Sequence, residues 1–282
     1  MKTFIVTYDR PNTITSHRCV TTFDYYVVVH NEEQRALYAQ NEELDESRIV
    51  VSNAPTGMGG KSGQLNFILD NLVEPGEWAL YMDDDLKGIQ VVQDPYYEEN
   101  ALNIRDKSVN WHMVYSAEAD EDRLRYVFED TIQTAEKIGV HYCGFSMAEN
   151  FFFRSVKWQT VGCIAGSLIL MRDTGLRYEH SPMEDAQMVS EQLLVYGRVL
   201  INRYVHPDYQ IYISGGFGEY KERAPAKMQC CKSLMARYPG LWKYRQKSAI
   251  VPENEYIYGT DVMLKIHSEK QIREWRKKLG YL

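Results

Sequence analysis

The hydrophobic positions of this 282-residue chain follow two different spacings, and their alternation predicts strands that alternate with helices. Short apolar runs rich in Val, Ile, Tyr and Phe recur at residues 3–8, 25–30, 48–52 and 78–83. Their length and their β-branched content favour strands. Between the later runs, apolar residues recur three and four positions apart, which is the spacing of an amphipathic helix. The first half of the chain is therefore predicted to be α/β.

Three helices are predicted from this spacing. The clearest covers Gly60 to Leu72, and a second covers residues 32–43 after Asn31, whose side chain suits a helix N-cap. A third helix is predicted at residues 119–138. In the second half of the chain, the long apolar run at residues 161–172 predicts a buried strand.

A helix start is predicted at the sequence S-P-M-E-D, residues 181–185. Ser181 suits the N-cap, Pro182 suits the first helical position, and Glu184 stands where it would complete a capping box. This start places two acids, Glu184 and Asp185, side by side in the first helical turn, where the helix dipole also favours them.

The composition supports a globular protein without a membrane segment. With 44% hydrophobic and 25% charged residues, the chain can bury a full core in a single domain. No stretch approaches the roughly 20 apolar residues of a membrane span, and the first residues are too poor in apolar side chains for a signal peptide. The five cysteines are scattered without a C-x-x-C pair, which argues against a disulfide framework and against a zinc site. We expect a cytoplasmic protein that has no membrane partner.

Charge is distributed unevenly in this acidic chain, whose formal net charge is −7. Between Lys221 and Lys247, eight basic residues stand against one acid, Glu222. Aromatic residues are interleaved with these cations: Tyr220, Tyr238, Trp242 and Tyr244. Such a mixture is typical of segments that contact phosphates and stack on unpaired bases, so DNA is the expected partner. The alternative is an amphipathic helix with an ordinary solvated face.

Three consecutive carboxylates, Asp83, Asp84 and Asp85, follow the apolar run that begins at Trp78. Because side chains alternate along a strand, Asp83 and Asp85 are predicted to share one face while Asp84 points away. Adjacent buried carboxylates repel one another unless a cation offsets their charge. Hard oxygen ligands suit Mg²⁺ or Mn²⁺, which take one or two protein carboxylates together with water and substrate phosphates. The pattern predicts a D-x-D metal site for a diphosphate substrate, and a solvated acidic turn is the alternative.

A glycine-rich loop, A-P-T-G-M-G-G-K-S-G at residues 54–63, precedes the predicted helix at Gly60. A P-loop requires a glycine five residues before Gly60, and Pro55 occupies that position. Proline has no N–H to offer a phosphate, so a P-loop-like NTPase is the less favoured interpretation. In the favoured interpretation the helix after this loop directs Lys61, Gln64 and Asn66 toward a nucleotide diphosphate.

The order of these motifs resembles that of GT-A glycosyltransferases. T-Y-D-R-P, V-V-V-H-N-E-E, G-K-S-G-Q-L-N-F-I-L-D-N and Y-M-D-D-D-L follow one another in the chain. More narrowly, the chain is similar to the phage TET-associated glycosyltransferases, related to the base J glucosyltransferase, which attach sugars to hydroxymethylated pyrimidines in DNA. The resemblance covers most of residues 1–215. It implies a GT-A-like mixed sheet flanked by helices in a single domain, with residues 216–282 as a basic extension that binds the acceptor.

The resemblance also implies roles for particular residues. The end of the first strand, the helix after the glycine-rich loop and two of the aspartates would contact the nucleotide. These residues are Thr7, Tyr8, Asp9, Arg10, Lys61, Gln64, Asp83 and Asp84. Asp83, Asp85 and His206 would hold the metal. The family usually carries an arginine, in an A-R-N-like setting, where this chain has Q-L-N. Lys61 or Arg10 must then supply the positive charge for the diphosphate.

The acidic pair of the later helix would lie near the acceptor. Asp185 is the candidate base that removes the acceptor proton if the product is inverted, and Glu184 is the second candidate catalytic acid. The expected activity is the metal-dependent transfer of a hexose or pentose from a nucleotide diphosphate sugar, with Mn²⁺ or Mg²⁺, to a hydroxymethylated pyrimidine in phage DNA inside an infected bacterium. The alternatives are a small-molecule, protein or glycan acceptor, a nucleotidyltransferase, and a non-catalytic nucleotide-binding module. The sugar, the nucleotide and the anomeric outcome stay open.

Overall fold

In the computed structural model, the protein has a central mixed sheet with helices on both faces. The model describes residues 1–56, 59–111, 118–148, 150–179, 182–209, 219–247 and 251–282. The strands are Lys2–Val6 (β1), Tyr25–Val29 (β2), Ile49–Val51 (β3), Trp78–Asp83 (β4), Leu86–Val91 (β5), Tyr142–Phe145 (β6), Trp158–Gln159 (β7), Leu168–Arg172 (β8), Leu200–Asn202 (β9), Val205–Tyr209 (β10), Trp242–Tyr244 (β11) and Val262–Leu264 (β12). The α-helices are Glu32–Tyr38 (α1), Gly60–Asn71 (α2), Glu121–Ile138 (α3), Glu184–Val195 (α4), Tyr220–Arg237 (α5) and Glu269–Lys278 (α6).

Eight strands form the main sheet in the order β3-β2-β1-β4-β8-β6-β9-β7. The first four of these strands are mutually parallel, and β8 runs antiparallel between β4 and β6. Two antiparallel pairs, β5 with β10 and β11 with β12, stand outside it. The predicted fold class, a mixed sheet flanked by helices, is confirmed.

The two faces of the sheet carry separate cores because side chains alternate along each strand. Ile5 and Leu80 belong to one core, which α3 covers with Phe128. Phe4 and Tyr81 belong to the other, which α2 covers through its own apolar side chains. Fully burying side chains of this kind stabilises the fold by roughly 1.5–3 kcal/mol each.

The C-terminal segment packs on the second of these cores. Leu234 of α5, Trp242 of β11 and Trp275 of α6 are all buried in the same cluster as Phe4. The described part of residues 216–282 therefore shares a hydrophobic core with the main sheet. A division of the chain near residue 215 stays a prediction.

Several predicted boundaries change in the structure. The helix after Asn31 ends at Tyr38, although the predicted cap is confirmed: the Asn31 side chain accepts a hydrogen bond from Gln34 N at 2.9 Å. The buried strand predicted at residues 161–172 is shorter, since β8 begins at Leu168.

The acidic helix starts later than predicted. Helix α4 begins at Glu184 with Met183 as its N-cap residue, and no side-chain hydrogen bond caps it. Ser181, the predicted cap, lies outside the described residues. Pro182 precedes the helix, so the predicted capping box is wrong, and the Glu184 side chain is available for another partner. Among the helices of the described ranges, none combines the length and the apolar content needed to cross a bilayer.

Candidate functional site

A cleft of about 180 Å³ opens at one edge of the main sheet, where β1 and β4 end together. These strands are parallel neighbours, and Val6 pairs with Asp83 at their last positions. The residues that follow the two strands therefore meet at the same sheet edge. The cleft is lined by Val6, Thr7, Tyr8, Arg10, Lys61, Gln64, Asp83, Asp84, Asp85, Pro182, Glu184 and Arg223.

The three aspartates do not continue one strand. Strand β4 ends at Asp83 and β5 begins at Leu86, which leaves Asp84 and Asp85 as the residues of a tight turn. Ser16 fixes this turn, because its Oγ donates to Asp83 O at 2.5 Å and accepts from Leu86 N at 2.9 Å. Because β4 ends at Asp83, the strand alternation behind the D-x-D prediction does not apply beyond this residue.

Asp84 anchors the loop that follows β1. Its Oδ2 accepts a hydrogen bond from Thr7 Oγ1 at 2.5 Å, and its Oδ1 lies 2.7 Å from Arg10 Nη1. Thr7 Oγ1 is in turn 2.5 Å from the hydroxyl of Tyr38. The predicted separation of Asp84 from Asp85 is wrong, since Asp84 is buried and contacts the same Arg10 guanidinium nitrogen as Asp85. Both of its oxygens hold the loop in place.

Asp85 shares the same guanidinium at a longer distance. Its Oδ2 lies 3.2 Å from Arg10 Nη1. Burial, together with the charges of Asp83 and Asp84, raises the pKa of Asp85 to about 7, although Arg10 opposes this shift. The ionised form of Asp85 is thus poorly compensated, and an additional cation beside it would stabilise that form.

Lys61 connects two carboxylates from opposite sides of the cleft. It stands in the first turn of α2, and its Nζ lies 2.7 Å from Asp83 Oδ1 and 3.1 Å from Glu184 Oε1. The same Nζ donates to Gly166 O at 3.3 Å. A side chain at position 166 would crowd this ammonium, because an added Cβ would lie 2.9 Å from Nζ.

The charges of this triad are mutually dependent. Burial raises the pKa of Asp83, and the Lys61 ammonium opposes that shift. Burial alone would lower the pKa of Lys61, but Asp83 and Glu184 together raise it above its ordinary value. Lys61 is therefore a permanent cation inside a cluster of acids.

Gln64 uses its amide to fix the cleft wall. Its Nε2 donates to Thr7 O at 2.9 Å and to Val28 O at 2.7 Å. The amide group thus ties α2 to the ends of β1 and β2. Gln64 lines the cleft as predicted, but both donors of its Nε2 bind the backbone.

The loop after β1 turns sharply at Asp9. This residue has a φ of 54°, in the left-handed region that Asp adopts more readily than most residues. Its N–H donates to Gln34 Oε1 at 3.2 Å. The reversal brings the neighbouring Tyr8 into the cleft, where its ring meets His30 edge-to-face at a centroid distance of 4.9 Å. Asp9 itself is exposed and is not among the cleft-lining residues.

Asp185 lies beside the Lys61 cluster at the start of α4. Its Oδ1 accepts a hydrogen bond from Ala186 N at 2.6 Å. Burial and the charge of Glu184 raise the pKa of Asp185 to about 7, with Lys61 opposing the shift. A carboxyl group with this pKa is suited to exchange protons near neutral pH. Its side chain adjoins Gly166, whose carbonyl accepts from Lys61.

His206 is placed apart from the aspartate turn. It lies within β10, where the register pairs it with Gln90, whereas Leu86 at the turn pairs with Tyr209. Three residues of strand correspond to roughly 10 Å. The ring is buried, and its Nδ1 lies 2.8 Å from Ser146 O. The structure thus does not bring His206 together with Asp83 and Asp85, and its role as a metal ligand stays a prediction.

The structure also changes the picture of the basic segment. Three of its aromatic residues, Tyr220, Tyr238 and Trp242, are 3%, 1% and 3% exposed and contribute to the core. They cannot stack on bases, because they fill the apolar side of α5 and β11. Tyr244 is half-buried, and its ring centroid lies 5.6 Å from that of Tyr258.

Some of the basic charges in this segment have acidic partners. Arg237 pairs with Glu191 at 2.6 Å and also with Glu179, and Arg245 pairs with Asp261 at 3.2 Å. The positive charge of the segment that has no acidic partner is therefore smaller than the sequence alone suggests.

Three cleft-lining residues were not predicted as site residues: Val6, Pro182 and Arg223. Arg223 belongs to α5 and lines the cleft beside Glu184, although 38 positions separate the two in the chain. Sequence analysis assigned it only to the basic segment. No local pattern could identify it, because the approach of α5 to the cleft depends on packing between distant parts of the chain.

The donor set fits a dication that also binds a ligand. Within the part of the chain that the structure describes, no three His, Cys, Asp or Glu side chains converge to form a complete metal cage. Mg²⁺ and Mn²⁺ do not require one, since they commonly take one or two carboxylates and complete their shell with water and phosphate oxygens. Asp85, whose charge is poorly compensated, and Asp83 at the end of β4 are suitable for such a partial shell.

Comparisons with known proteins give little further information. No protein-family model matches the chain, and no curated protein matches it. Among solved structures, the crystal structure of S. aureus TarS 1-349 aligns with a TM-score of 0.41 and 12% sequence identity. The alignment covers 83% of this chain and 65% of that chain. Likeness at this level carries no argument about activity.

Proposed function

We propose that this protein is a glycosyltransferase that moves a sugar from a nucleotide diphosphate sugar and binds the donor in the cleft at the ends of β1 and β4. One observation carries the proposal. Among the cleft-lining residues, the four carboxylates of Asp83, Asp84, Asp85 and Glu184 outnumber the cations, which are Arg10, Lys61 and Arg223. This imbalance favours one further dication, and the cations beside it favour a ligand with adjacent phosphates.

The proposed chemistry assigns each part of the cluster a task. When bound, Mg²⁺ or Mn²⁺ would supply Lewis-acid stabilisation of the diphosphate leaving group. Asp85 would hold the dication, with Asp83 as the second carboxylate. Lys61 lines the cleft and would supply positive charge for the diphosphate. It would thus replace the arginine that is usual in the resembled family. Arg10 is held by Asp84 and keeps the aspartate turn in position.

Asp185 is the proposed general base. Transfer with inversion requires a carboxylate that takes the proton of the acceptor hydroxyl as the bond to the sugar forms. A pKa of about 7 keeps a substantial fraction of Asp185 ionised near neutral pH. Glu184 is paired with Lys61 at 3.1 Å, so we assign it the task of positioning that ammonium rather than proton transfer.

The proposed acceptor is a hydroxymethylated pyrimidine in DNA. Support comes from the motif order in residues 1–215 and from the basic residues of the C-terminal segment. A base inside a duplex must be extruded before its hydroxymethyl group can enter a cleft of this size. A small-molecule, protein or glycan acceptor is the alternative.

Mass spectrometry of hydroxymethylated DNA tests the proposal. The DNA is incubated with the protein, Mn²⁺ and a panel of nucleotide sugars, and we expect a mass gain of one hexose or pentose together with release of a nucleoside diphosphate. Asp85→Asn should abolish the gain. Asp122→Asn, an exposed acid of α3, is the matched control and should retain it.

Other products would point to other functions. Release of the nucleoside diphosphate in the presence of small glycans or proteins, without modification of the DNA, would support the alternative acceptors. Release of pyrophosphate would indicate a nucleotidyltransferase. Binding of a nucleotide sugar without release of any product would indicate a non-catalytic module.

A further inference from the structure

Helix α5 carries its cations in two stripes on opposite sides. Arg223 and Lys227 are four residues apart and lie one turn above each other on one face. Lys232 lies nine residues after Arg223, about two and a half turns, which places it on the far side of the helix. Lys221 lies about 160° round from Arg223 and belongs to the same far side.

Burial separates these two stripes. Arg223 and Lys227 are half-buried, whereas Lys221 and Lys232 are exposed. Lys227 also stands three residues after buried Ala224, in the row of side chains by which α5 packs on the body of the protein. A position of this kind normally favours an apolar side chain, because a buried cation loses hydration.

The inner stripe faces the acidic side of the site. Arg223 lines the cleft together with Glu184. The pKa of Asp185 is raised by burial and by Glu184, and Lys227 is among the cations that oppose this shift. Two cations from the C-terminal segment therefore flank the start of α4, where the proposed base is located.

We propose that Arg223 and Lys227 form an anion subsite that binds phosphodiester groups of the acceptor strand and holds the acceptor hydroxyl against Asp185. This inference rests on the proposed function and names the residues that make it selective for nucleic acid. In the proposed function, positive charge for the donor diphosphate comes from Lys61, in the first turn of α2. The inner stripe belongs to α5 and flanks the start of α4, next to the acid that the acceptor must approach.

The proposal differs from a general role for the basic segment. An unspecific electrostatic surface would use the exposed cations Lys221 and Lys232 at least as much as the half-buried ones. A subsite beside the base requires the inner stripe instead. The two stripes supply matched pairs of substitutions within one helix.

The test measures binding of a fluorescently labelled single-stranded oligonucleotide containing 5-hydroxymethylcytosine, by anisotropy, between roughly 50 and 200 mM salt. The wild type is compared with Arg223→Gln/Lys227→Gln and with Lys221→Gln/Lys232→Gln. The inner pair should reduce the slope of log K against log salt by about 1.4, since each lost phosphate contact on a single strand is worth about 0.7. The outer pair should reduce it by less than half of that. A larger effect of the outer pair, or an unchanged slope in the inner pair, would overturn the proposal.

A second measurement separates the acceptor from the donor. Calorimetric titration of nucleoside diphosphates with Mn²⁺ should give Lys227→Gln, whose side chain is not among those that line the donor cleft, an affinity within twofold of the wild type. Lost nucleotide affinity in Lys227→Gln, together with an unchanged salt slope in the inner-pair variant, would assign these cations to the donor and refute the subsite. A wild type that binds nucleotide but no oligonucleotide would refute the subsite and leave sugar transfer to another acceptor standing. Binding of neither ligand would refute the proposed function as well.

Discussion

Two buried polar clusters of this protein differ in how their charges are balanced. Away from the cleft, Lys157 Nζ pairs with Asp130 at 2.9 Å and lies 3.7 Å from the centre of the Tyr97 ring. Tyr97 donates to Asp130 at 3.0 Å, and Asn202 Nδ2 contacts Tyr97 OH and Thr131 Oγ1, both at 2.9 Å. In this cluster one cation forms an ion pair with one acid.

The cleft cluster is not balanced in this way. Lys61 and Arg10 are shared among Asp83, Asp84, Asp85 and Glu184, and the pKa of Asp85 is raised as a result of burial and of its acidic neighbours. A balanced buried pair serves the fold, because its charges satisfy each other. An unbalanced cluster in a cleft indicates a site whose compensation comes from a ligand.

The largest expected effect is on stability, at the balanced cluster. Asp130→Asn leaves the Lys157 ammonium buried without its carboxylate, and Lys157 is only 4% exposed. We expect the free energy of unfolding to fall by about 3 kcal/mol, since breaking a buried pair leaves an uncompensated charge. Urea denaturation measures the loss. Transfer activity per folded molecule should not change, and a stable Asp130→Asn protein would weaken the contrast between the two clusters.

At the unbalanced cluster, Asp85→Asn should lower activity without lowering stability, the opposite of Asp130→Asn. It removes one of several mutually repelling acids, so the midpoint of thermal unfolding should stay unchanged or rise. We expect sugar transfer to fall at least about 100-fold, which corresponds to about 2.7 kcal/mol of transition-state stabilisation. Steady-state kinetics and calorimetry on the same preparation test this prediction. A destabilised Asp85→Asn with normal activity would show that Asp85 serves the fold.

Lys61→Met tests the internal cation. Removing the ammonium leaves Asp83 and Glu184 without their shared partner, so the protein without donor should bind Mn²⁺ about tenfold more tightly, or about 1.4 kcal/mol. Affinity for nucleoside diphosphates should fall, because Lys61 is expected to donate to the phosphates. Calorimetric titration of each ligand measures both changes. Lys87→Met, an exposed lysine of β5, is the control, and equal behaviour of the two variants would refute the role of Lys61.

The smallest expected effect concerns the pH dependence of stability. The pKa of Asp185 is raised to about 7 by burial and Glu184, whereas an unfolded Asp titrates near 3.9. Between these values the folded protein binds more protons than the unfolded chain, so the contribution of Asp185 to stability decreases as pH rises from about 4 to 7. Denaturation curves at pH 6 and pH 7 should show a smaller decrease in Asp185→Asn than in the wild type, by about 1 kcal/mol. An identical decrease would contradict the raised pKa.

Much of the sheet was predictable because it depends on local patterns. The apolar runs predicted β1 to β4, and the spacing of apolar residues in α2 predicted the helix that begins at Gly60. The three aspartates marked the edge of the sheet for the same reason: they follow a buried strand directly.

The contacts of the site were less predictable. The orientation of Asp84 depends on hydrogen bonds from Thr7 and Arg10, which are 77 and 74 residues away in the chain. The start of α4 was predicted from cap residues, whereas tertiary pairing of Glu184 with Lys61 determines where that side chain lies. The aromatic residues of the basic segment do not reveal their role in the sequence, because the same residue types serve stacking and core packing.

The most direct test of the central claim is a calorimetric titration of UDP, GDP, CDP and dTDP into the wild type and into Asp85→Asn, each with and without Mn²⁺. If the aspartate turn holds a dication against a diphosphate, at least one nucleotide will bind the wild type only when Mn²⁺ is present, and Asp85→Asn will lose that binding. Binding that is equally tight without Mn²⁺ or in Asp85→Asn, or no binding of any of the four, would contradict it.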